Sequence, residues 1–259
     1  MLMFPEERHQ QILKVLHASG SVKVNELSEV FNVTLETIRR DLEKLEAKNK
    51  LKRTHGGAIL VQEQMDDDDI PFKVRERLNK AEKINIAKAA VQLIDEGDHI
   101  YIDAGSTSLY LAKAMPNIDL TIVTNSLLVA FELSKRKKIR IILTGGDLIE
   151  SSFSIVGWDA IRSIQQYNVK KMFYSCKGFD KEWGVSDSNQ QQAAVKKAVM
   201  ERAEQVILLL DSSKTAKRSF VYINAIDEID SIVVDAKSDL SYFQGTQFKD
   251  IKIIKSSDS

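Results

Sequence analysis

After residue 71 the chain settles into a repeated pattern in which short β-rich runs alternate with helical stretches. The runs are His99–Asp103, Leu120–Val123, Arg140–Leu143, Lys171–Ser175, Val206–Leu210, Ser231–Val234 and Ile251–Ile254. Several are nearly unbroken apolar segments. A strand with one wet face alternates in polarity, whereas a strand covered on both faces does not. The pattern therefore predicts an α/β domain on a largely parallel sheet. Ile84, Ala87, Val91 and Ile94 predict the buried face of a helix ahead of the first run.

The first 60 residues follow a different rule. A helix is expected from about Pro5, with Ile12, Val15 and Leu16 on one face and Gly20 as its stop. Ser21-Val22-Lys23 reads as a short extended piece, and Leu27, Val30 and Phe31 mark a second helix of barely two turns. Asn32-Val33 forms a turn, and Thr34 is placed to cap a third helix. On that helix Leu35, Ile38, Leu42 and Leu45 form an apolar seam. Leu51–Thr54 and Ala58–Val61 flank His55-Gly56-Gly57, which predicts a β-hairpin. The order is that of a winged helix-turn-helix.

With Ile38 facing inward and about 100° of rotation per residue, Arg40 points outward among Glu36, Thr37 and Lys44, with Arg39 on the flank. Such a face suits a major groove. Thr37 and Arg40 are expected at base edges, and Arg39 and Lys44 at phosphates. An arginine fork can donate twice to one guanine. Thr34 joins this surface at the helix start, and Lys52, Arg53 and His55 extend it onto the hairpin, the expected wing.

Whole-chain charge conceals this patch. The 37 basic residues balance the 37 acidic ones, but Arg39–Arg53 holds seven basic residues against three acidic. A DNA backbone responds to local field. An acidic connector, Asp66 to Asp69 at its centre, follows immediately. The expected domains are thus residues 1–61, an acidic linker at 62–70, and a second domain at 71–259.

In the second domain, Asp103 ends a strand and Ala104-Gly105-Ser106-Thr107-Ser108 opens a helix. Backbone N–H groups at a helix start attract anions, and Gly105 permits close approach. Three further loops follow strands at the same sheet edge: Thr124-Asn125-Ser126, Gly145-Gly146 and Asp211-Ser212-Ser213-Lys214. In a parallel sheet such loops converge on one crevice. Asp103, Gly105, Ser106, Thr107, Ser108, Thr124, Asn125, Ser126, Gly145, Gly146 and Lys214 form the expected phosphate-binding effector site.

Two sets of motifs carry a resemblance to a known family. Thr37-Ile38-Arg39-Arg40-Asp41-Leu42, Leu45-Glu46 and Arg53-Thr54-His55-Gly56-Gly57-Ala58 resemble the N-terminal signature of DeoR-family bacterial regulators. Asp103-Ala104-Gly105-Ser106-Thr107, Thr124-Asn125-Ser126, Gly145-Gly146, Val156-Gly157 and Asp211-Ser212-Ser213-Lys214 are similar to that family's effector domain. The resemblance implies an effector domain related to ribose-5-phosphate isomerase, effectors drawn from sugar metabolism, and repression as the usual outcome. Asp41 is expected to be structural, since a carboxylate facing phosphate would be repelled. The chain departs from the commonest pattern at Ser175-Cys176-Lys177-Gly178, where many members carry an acidic residue before the glycine. Lys177 is either a further effector contact or a surface lysine on a loop.

The expected function is a DNA-binding regulator whose partners are double-stranded operator DNA and a sugar-phosphate effector, working as a homo-oligomer, dimer or tetramer, because one such module binds weakly. A single cysteine, Cys176, leaves no intramolecular disulfide and no cysteine-rich metal site. No cofactor is called for. Met1 to Gln10 turns charged by Glu6, and no run reaches the roughly 18 apolar residues of a membrane span; a cytoplasmic protein is expected. The alternative is a sugar-phosphate isomerase with a DNA-binding module. It needs a general base, for which Asp103 and Asp180 are candidates, while His99 lies at the wrong end of its strand. A non-specific architectural DNA binder is a third reading, opposed by the ligand-like loops.

Overall fold

The structure, a computed structural model, describes residues 4–48, 50–60 and 72–257; the acidic linker expected at 62–70 lies outside them. The chain divides into two compact units, Met1–Leu78 and Asn79–Ser259.

The first unit opens with helix α1 (Pro5–Ser19), strand β1 (Ser21–Lys23), α2 (Val24–Phe31) and α3 (Leu35–Ala47). Strands β2 (Leu51–Thr54) and β3 (Gly57–Leu60) form the hairpin, and α4 (Phe72–Arg77) follows. Gly20 and Asn32 end α1 and α2 in the left-handed conformation, which glycine and asparagine adopt at least cost. The sheet runs β1-β3-β2, all antiparallel. At Gly57 a Cβ would lie 1.7 Å from the Val22 carbonyl oxygen, so only glycine lets β3 pass β1 at this point. Ile12, Val15, Leu16, Leu27, Ile38 and Leu42 are fully buried between the helices.

Helix α4 was expected to begin the second domain. Instead, Val74 and Leu78 join the core of the first unit, and Arg77 donates to the carbonyl oxygens of Glu29 (2.7 Å) and Val30 (3.0 Å). These are orphan acceptors at the end of α2, and the arginine satisfies them.

The second unit contains α5 (Lys80–Val91), β4 (His99–Ile102), α6 (Ser106–Ala114), β5 (Leu120–Thr124), α7 (Leu127–Leu133) and β6 (Ile139–Leu143). There follow β7 (Asp147–Ile149), β8 (Ser154–Val156), α8 (Trp158–Ile164), β9 (Val169–Ser175), β10 (Gly178–Asp180), β11 (Gly184–Asp187) and α9 (Gln190–Met200). The chain ends with β12 (Ala203–Leu210), β13 (Val221–Asn224), β14 (Ser231–Val234) and β15 (Lys252–Lys255). Seven strands pair in the order β15-β14-β12-β9-β4-β5-β6, every pair parallel. They are the seven runs expected from the sequence.

Alternate residues enter opposite faces of this sheet. Ile207 and Leu209 pack with Ile100, Ile102 and Phe173 against α5, α6 and α7. Leu208 and Leu210 pack with Tyr101, Met172 and Tyr174 against α8 and α9. Both faces are apolar, which is why the strand sequences do not alternate.

Helix α5 turns differently from expectation. Ile86, Ala87 and Ala90 are buried, together with Lys83 and Asn85, whereas Ile84 and Val91 are half-buried and the helix ends before Ile94. No described helix is long and apolar enough to cross a membrane.

Candidate nucleic-acid interface and candidate anion site

In the first unit, Thr34 caps α3 as expected, accepting from the Thr37 N–H at 3.2 Å, and the two hydroxyls lie 2.9 Å apart. The cap fixes where the helix starts, and the seam Ile38, Leu42, Leu45 fixes how it is rotated. Arg39, Arg40 and Lys44 are thereby exposed on one side. Arg40 keeps 72 % of its side chain exposed, with Nε 3.4 Å from Glu36, which also stands 3.8 Å from Arg39. Exposed pairs of this kind hold weakly, so a phosphate or base edge can replace Glu36. Thr37 is half-buried.

The hairpin brings Lys52 and His55 to the surface. Arg53 is more constrained. Its N–H donates to Glu46 at 2.8 Å and its guanidinium to Glu43 at 2.9 Å, tying β2 to α3. Asp41 is 3 % exposed and accepts from Arg8 Nε at 2.6 Å, with His9 Nε2 at 2.9 Å from its other oxygen. It clamps α3 to α1 and faces away from the outer surface.

The crevice of the second unit follows from topology. The chain runs outward from β4 through β5 to β6, then returns to place β9 on the other side of β4. Connections leave these two neighbours in opposite directions, which opens a gap at their carboxyl ends. Asp103 follows β4 and Ser175 ends β9, and they bridge that point: Ser175 N–H donates to Asp103 Oδ2 at 3.1 Å and its hydroxyl at 3.4 Å. Gly105 N–H donates to Asp103 Oδ1 at 3.1 Å, and the Ser108 hydroxyl donates to the same oxygen. A Cβ on Gly105 would stand 1.8 Å from Ser175 Oγ, so the turn has no room for a side chain. Helix α6 starts here with no side-chain cap. Ser106, Thr107 and Ser108 are all buried.

The other expected residues occupy the same edge but differ in what they do. Thr124 donates to the Ile102 carbonyl at 2.7 Å, Asn125 accepts from Tyr101 at 2.8 Å and donates to the Ile155 carbonyl at 2.9 Å, and Ser126 caps α7. These three shape the edge and are already engaged. Gly146 sits at φ 127°, where a Cβ would meet the Val156 carbonyl at 2.3 Å, whereas Gly145 is open. The hydroxyl of Thr144, just before them, is buried with no hydrogen-bond partner among the described residues. Lys177 and Lys214 are both half-buried. Burial would raise the Asp211 carboxyl, but the charges of Lys214 and Lys83 outweigh it and hold it below the usual range.

Sequence reasoning missed the charge at the centre. Lys196, on α9, is 5 % exposed and donates to Asp187 Oδ2 at 2.5 Å and to the Ser175 carbonyl at 2.7 Å, and its Nζ lies 3.4 Å from Asp103. Burial would lower the Lys196 ammonium, yet the charges of Asp187 and Asp103 raise it to about 12. Burial would raise Asp187, yet Lys196 and Lys177 hold it below the usual range. One signal was available: Lys196 stands between the apolar Ala193 and Val199 on one helical face. Burial pushes the Cys176 thiol up to about 12, so it is not a thiolate at neutral pH.

Neither proposed catalytic base is poised for proton abstraction. Asp103 is ringed by donors and paired with Lys196. Asp180 accepts from Arg218 at 3.0 Å and from the N–H groups of Glu182 and Trp183, and Arg218 in particular holds its carboxyl low.

Comparison with known proteins covers nearly the whole chain. Residues 8–64 match the DeoR-like helix-turn-helix domain and residues 78–236 match the DeoR C terminal sensor domain. The HTH-type transcriptional regulator YulB of Bacillus subtilis is 44% identical, over 97% of this chain and 96% of that protein. The L-fucose operon activator of Escherichia coli is 35% identical, over 89% of this chain and 95% of that protein. The glycerol-3-phosphate regulon repressor of Escherichia coli is 32% identical, over 92% and 94% respectively. Among solved structures, ribose 5-phosphate isomerase A of Methanocaldococcus jannaschii aligns with 53% of this chain and 55% of that chain, at 17% identity and a TM-score of 0.41.

Proposed function

The chain belongs to the DeoR family of transcriptional regulators, and from that premise we propose that it represses a carbohydrate-metabolism operon under control of a phosphorylated sugar. The observation that carries the reading is the pairing of two surfaces in one chain. One is an α3 face bearing exposed Arg39, Arg40 and Lys44; the other is the uncapped α6 N-terminus at the β4–β9 gap.

Thr37 and Arg40 read base edges, while Arg39, Lys44, Lys52 and His55 position the unit on phosphates. Arg53 serves mainly to hold the hairpin on α3. In the second unit the phosphate takes the N–H groups of Ser106 and Thr107 at the start of α6, beside Gly105, with Lys214 and Lys177 supplying positive charge. Asp103, Thr124, Asn125, Ser126 and Gly146 build the crevice around it. A homo-oligomer, dimer or tetramer, presents paired winged helices to repeated or palindromic half-sites in the cytoplasm.

The relatives' names span both signs of control, an activator of one sugar operon and a repressor of another regulon. Repression is the simpler mechanism, since occupancy of an operator suffices. The effector can shift DNA binding by no more than its differential affinity for the two states.

The test is selection of bound fragments from the host's genomic DNA, alone and with a panel of sugar phosphates. A recurrent half-site whose enrichment changes with one phosphate supports the reading and names the effector. Enrichment no better than bulk DNA under every condition sinks it.

A further inference from the structure

Helix α9 holds two of the crevice loops through side chains one turn apart. Gln192 donates to the Ser152 hydroxyl at 3.0 Å, and that hydroxyl lies 2.7 Å from Ser154 Oγ. Next along β8, the Ile155 N–H donates to the Asn125 carbonyl at 2.7 Å, and Asn125 Nδ2 donates back to the Ile155 carbonyl. Lys196 lies four residues further on and binds Asp187, the Ser175 carbonyl and Asp103. Through Asp103 it reaches the Gly105 N–H and the Ser108 hydroxyl, the start of α6.

Asp103 itself is fully committed. A carboxylate offers about four acceptor positions, and the N–H groups of Gly105 and Ser175, the hydroxyls of Ser108 and Ser175 and the Lys196 ammonium all converge on it. No position is left for a ligand hydroxyl. Without Lys196, two buried carboxylates would face each other across one gap, and like charges so placed repel. Lys177, in the β9–β10 connection, also acts on Asp187.

We propose that Lys196 is a positioning residue of the effector site: bridging Asp103 and Asp187, it sets the β4–α6 turn so that the α6 N-terminus is presented to an anion it does not itself touch. Gln192 plays the matching part for the β5–α7 loop. The assignment rests on the reading of the α6 N-terminus as the effector's anion site. It moves Asp103 from ligand contact to brace, and it makes a residue of α9 control a site built by other elements.

The experiment compares full-length wild type, Lys196→Met and Gln192→Ala by amide hydrogen exchange and by binding of inorganic phosphate. Lys196→Met should accelerate exchange at Gly105–Leu109 by about tenfold relative to β14 and β15. It should also weaken phosphate binding. Gln192→Ala should accelerate exchange at Ser126–Ala130 and leave Gly105–Leu109 unchanged. A purely structural role would raise exchange evenly across the domain, and that result, or unchanged exchange at Gly105–Leu109, overturns the proposal. If Lys196→Met does not fold, Asp187→Asn takes its place, with the same acceleration at Gly105–Leu109 expected and no acceleration counting against it. Wild type that binds neither phosphate nor any sugar phosphate overturns the effector reading separately, because the exchange comparison needs no ligand.

Discussion

Arg8 donates its Nε to Asp41 at 2.6 Å, joining α1 to α3 across 33 residues of sequence. Both side chains are almost wholly buried, so the pair is neither screened by salt nor able to drift. It fixes the helix whose exposed side carries Arg40.

Removing one partner of a buried pair costs about 3–5 kcal/mol because the other charge is stranded. Asp41→Ala is therefore expected to lower stability by that order in urea denaturation and to weaken operator binding in parallel. A shift under about 1 kcal/mol, the range of an exposed pair, would mean that apolar contacts alone hold α1 to α3.

Arg40→Ala should weaken specific operator binding by about 1–3 kcal/mol and relax the preference at one base pair. Fold and stability should be untouched, since the side chain is exposed. Equal loss on every sequence would reassign Arg40 to the phosphate backbone.

The amino end of the sheet carries its own charge cluster. Lys171 donates to Asp95 at 2.8 Å and to Asp98 at 2.6 Å, and Lys170 to Asp98 at 2.7 Å. Burial would raise the Asp98 carboxyl, but hydrogen bonds from Lys170 and Lys171 outweigh it and hold it at about 2, from 3.8. A depressed carboxyl stabilises the folded state above its unfolded pKa, and that contribution fades as pH falls through the folded one. The difference in stability between wild type and Asp98→Asn should be full, about 2 kcal/mol, above pH ~4 and should vanish near pH ~2. A difference that does not change with pH would place its origin elsewhere than the charge.

Gly105→Ala tests the space at the site. Its φ of −76° is open to alanine, so the obstacle is steric: Ser175 Oγ at 1.8 Å, with Ser175 Cβ at 3.0 Å and Asp103 Oδ1 at 3.1 Å. Operator binding should persist while the response to the effector disappears. A normal response would show that the turn can open without disturbing the site.

Much of this was legible in the sequence. The seven parallel strands were visible because strands buried on both faces lose polar alternation, as in Ile207–Leu210. The Thr34 cap, the Gly20 stop and the Ile38, Leu42 and Leu45 part of the α3 seam were visible because caps and periodicity are local, whereas Leu35, also expected in the seam, is exposed in the first turn. What depends on distant partners was not. Lys196 looked like an ordinary lysine on a helix until Asp103 and Asp187 met it. Thr124, Asn125 and Ser126 looked like ligand groups, and only the positions of Ile102, Tyr101 and Ile155 show them already engaged. The short strands β10, β11 and β13 form a small antiparallel sheet whose pairing is set by long connections. The buried face of α5 was hidden because it includes Lys83 and Asn85, polar residues that an apolar periodicity assigns to the outside.

The most direct test of the central claim is the affinity of wild type and Lys214→Ala for the selected operator, with and without the sugar phosphate identified by the genomic selection. The expected result is equal affinity without effector and a response in wild type alone. A Lys214→Ala protein that still responds like wild type would contradict the placement of the effector at this crevice edge.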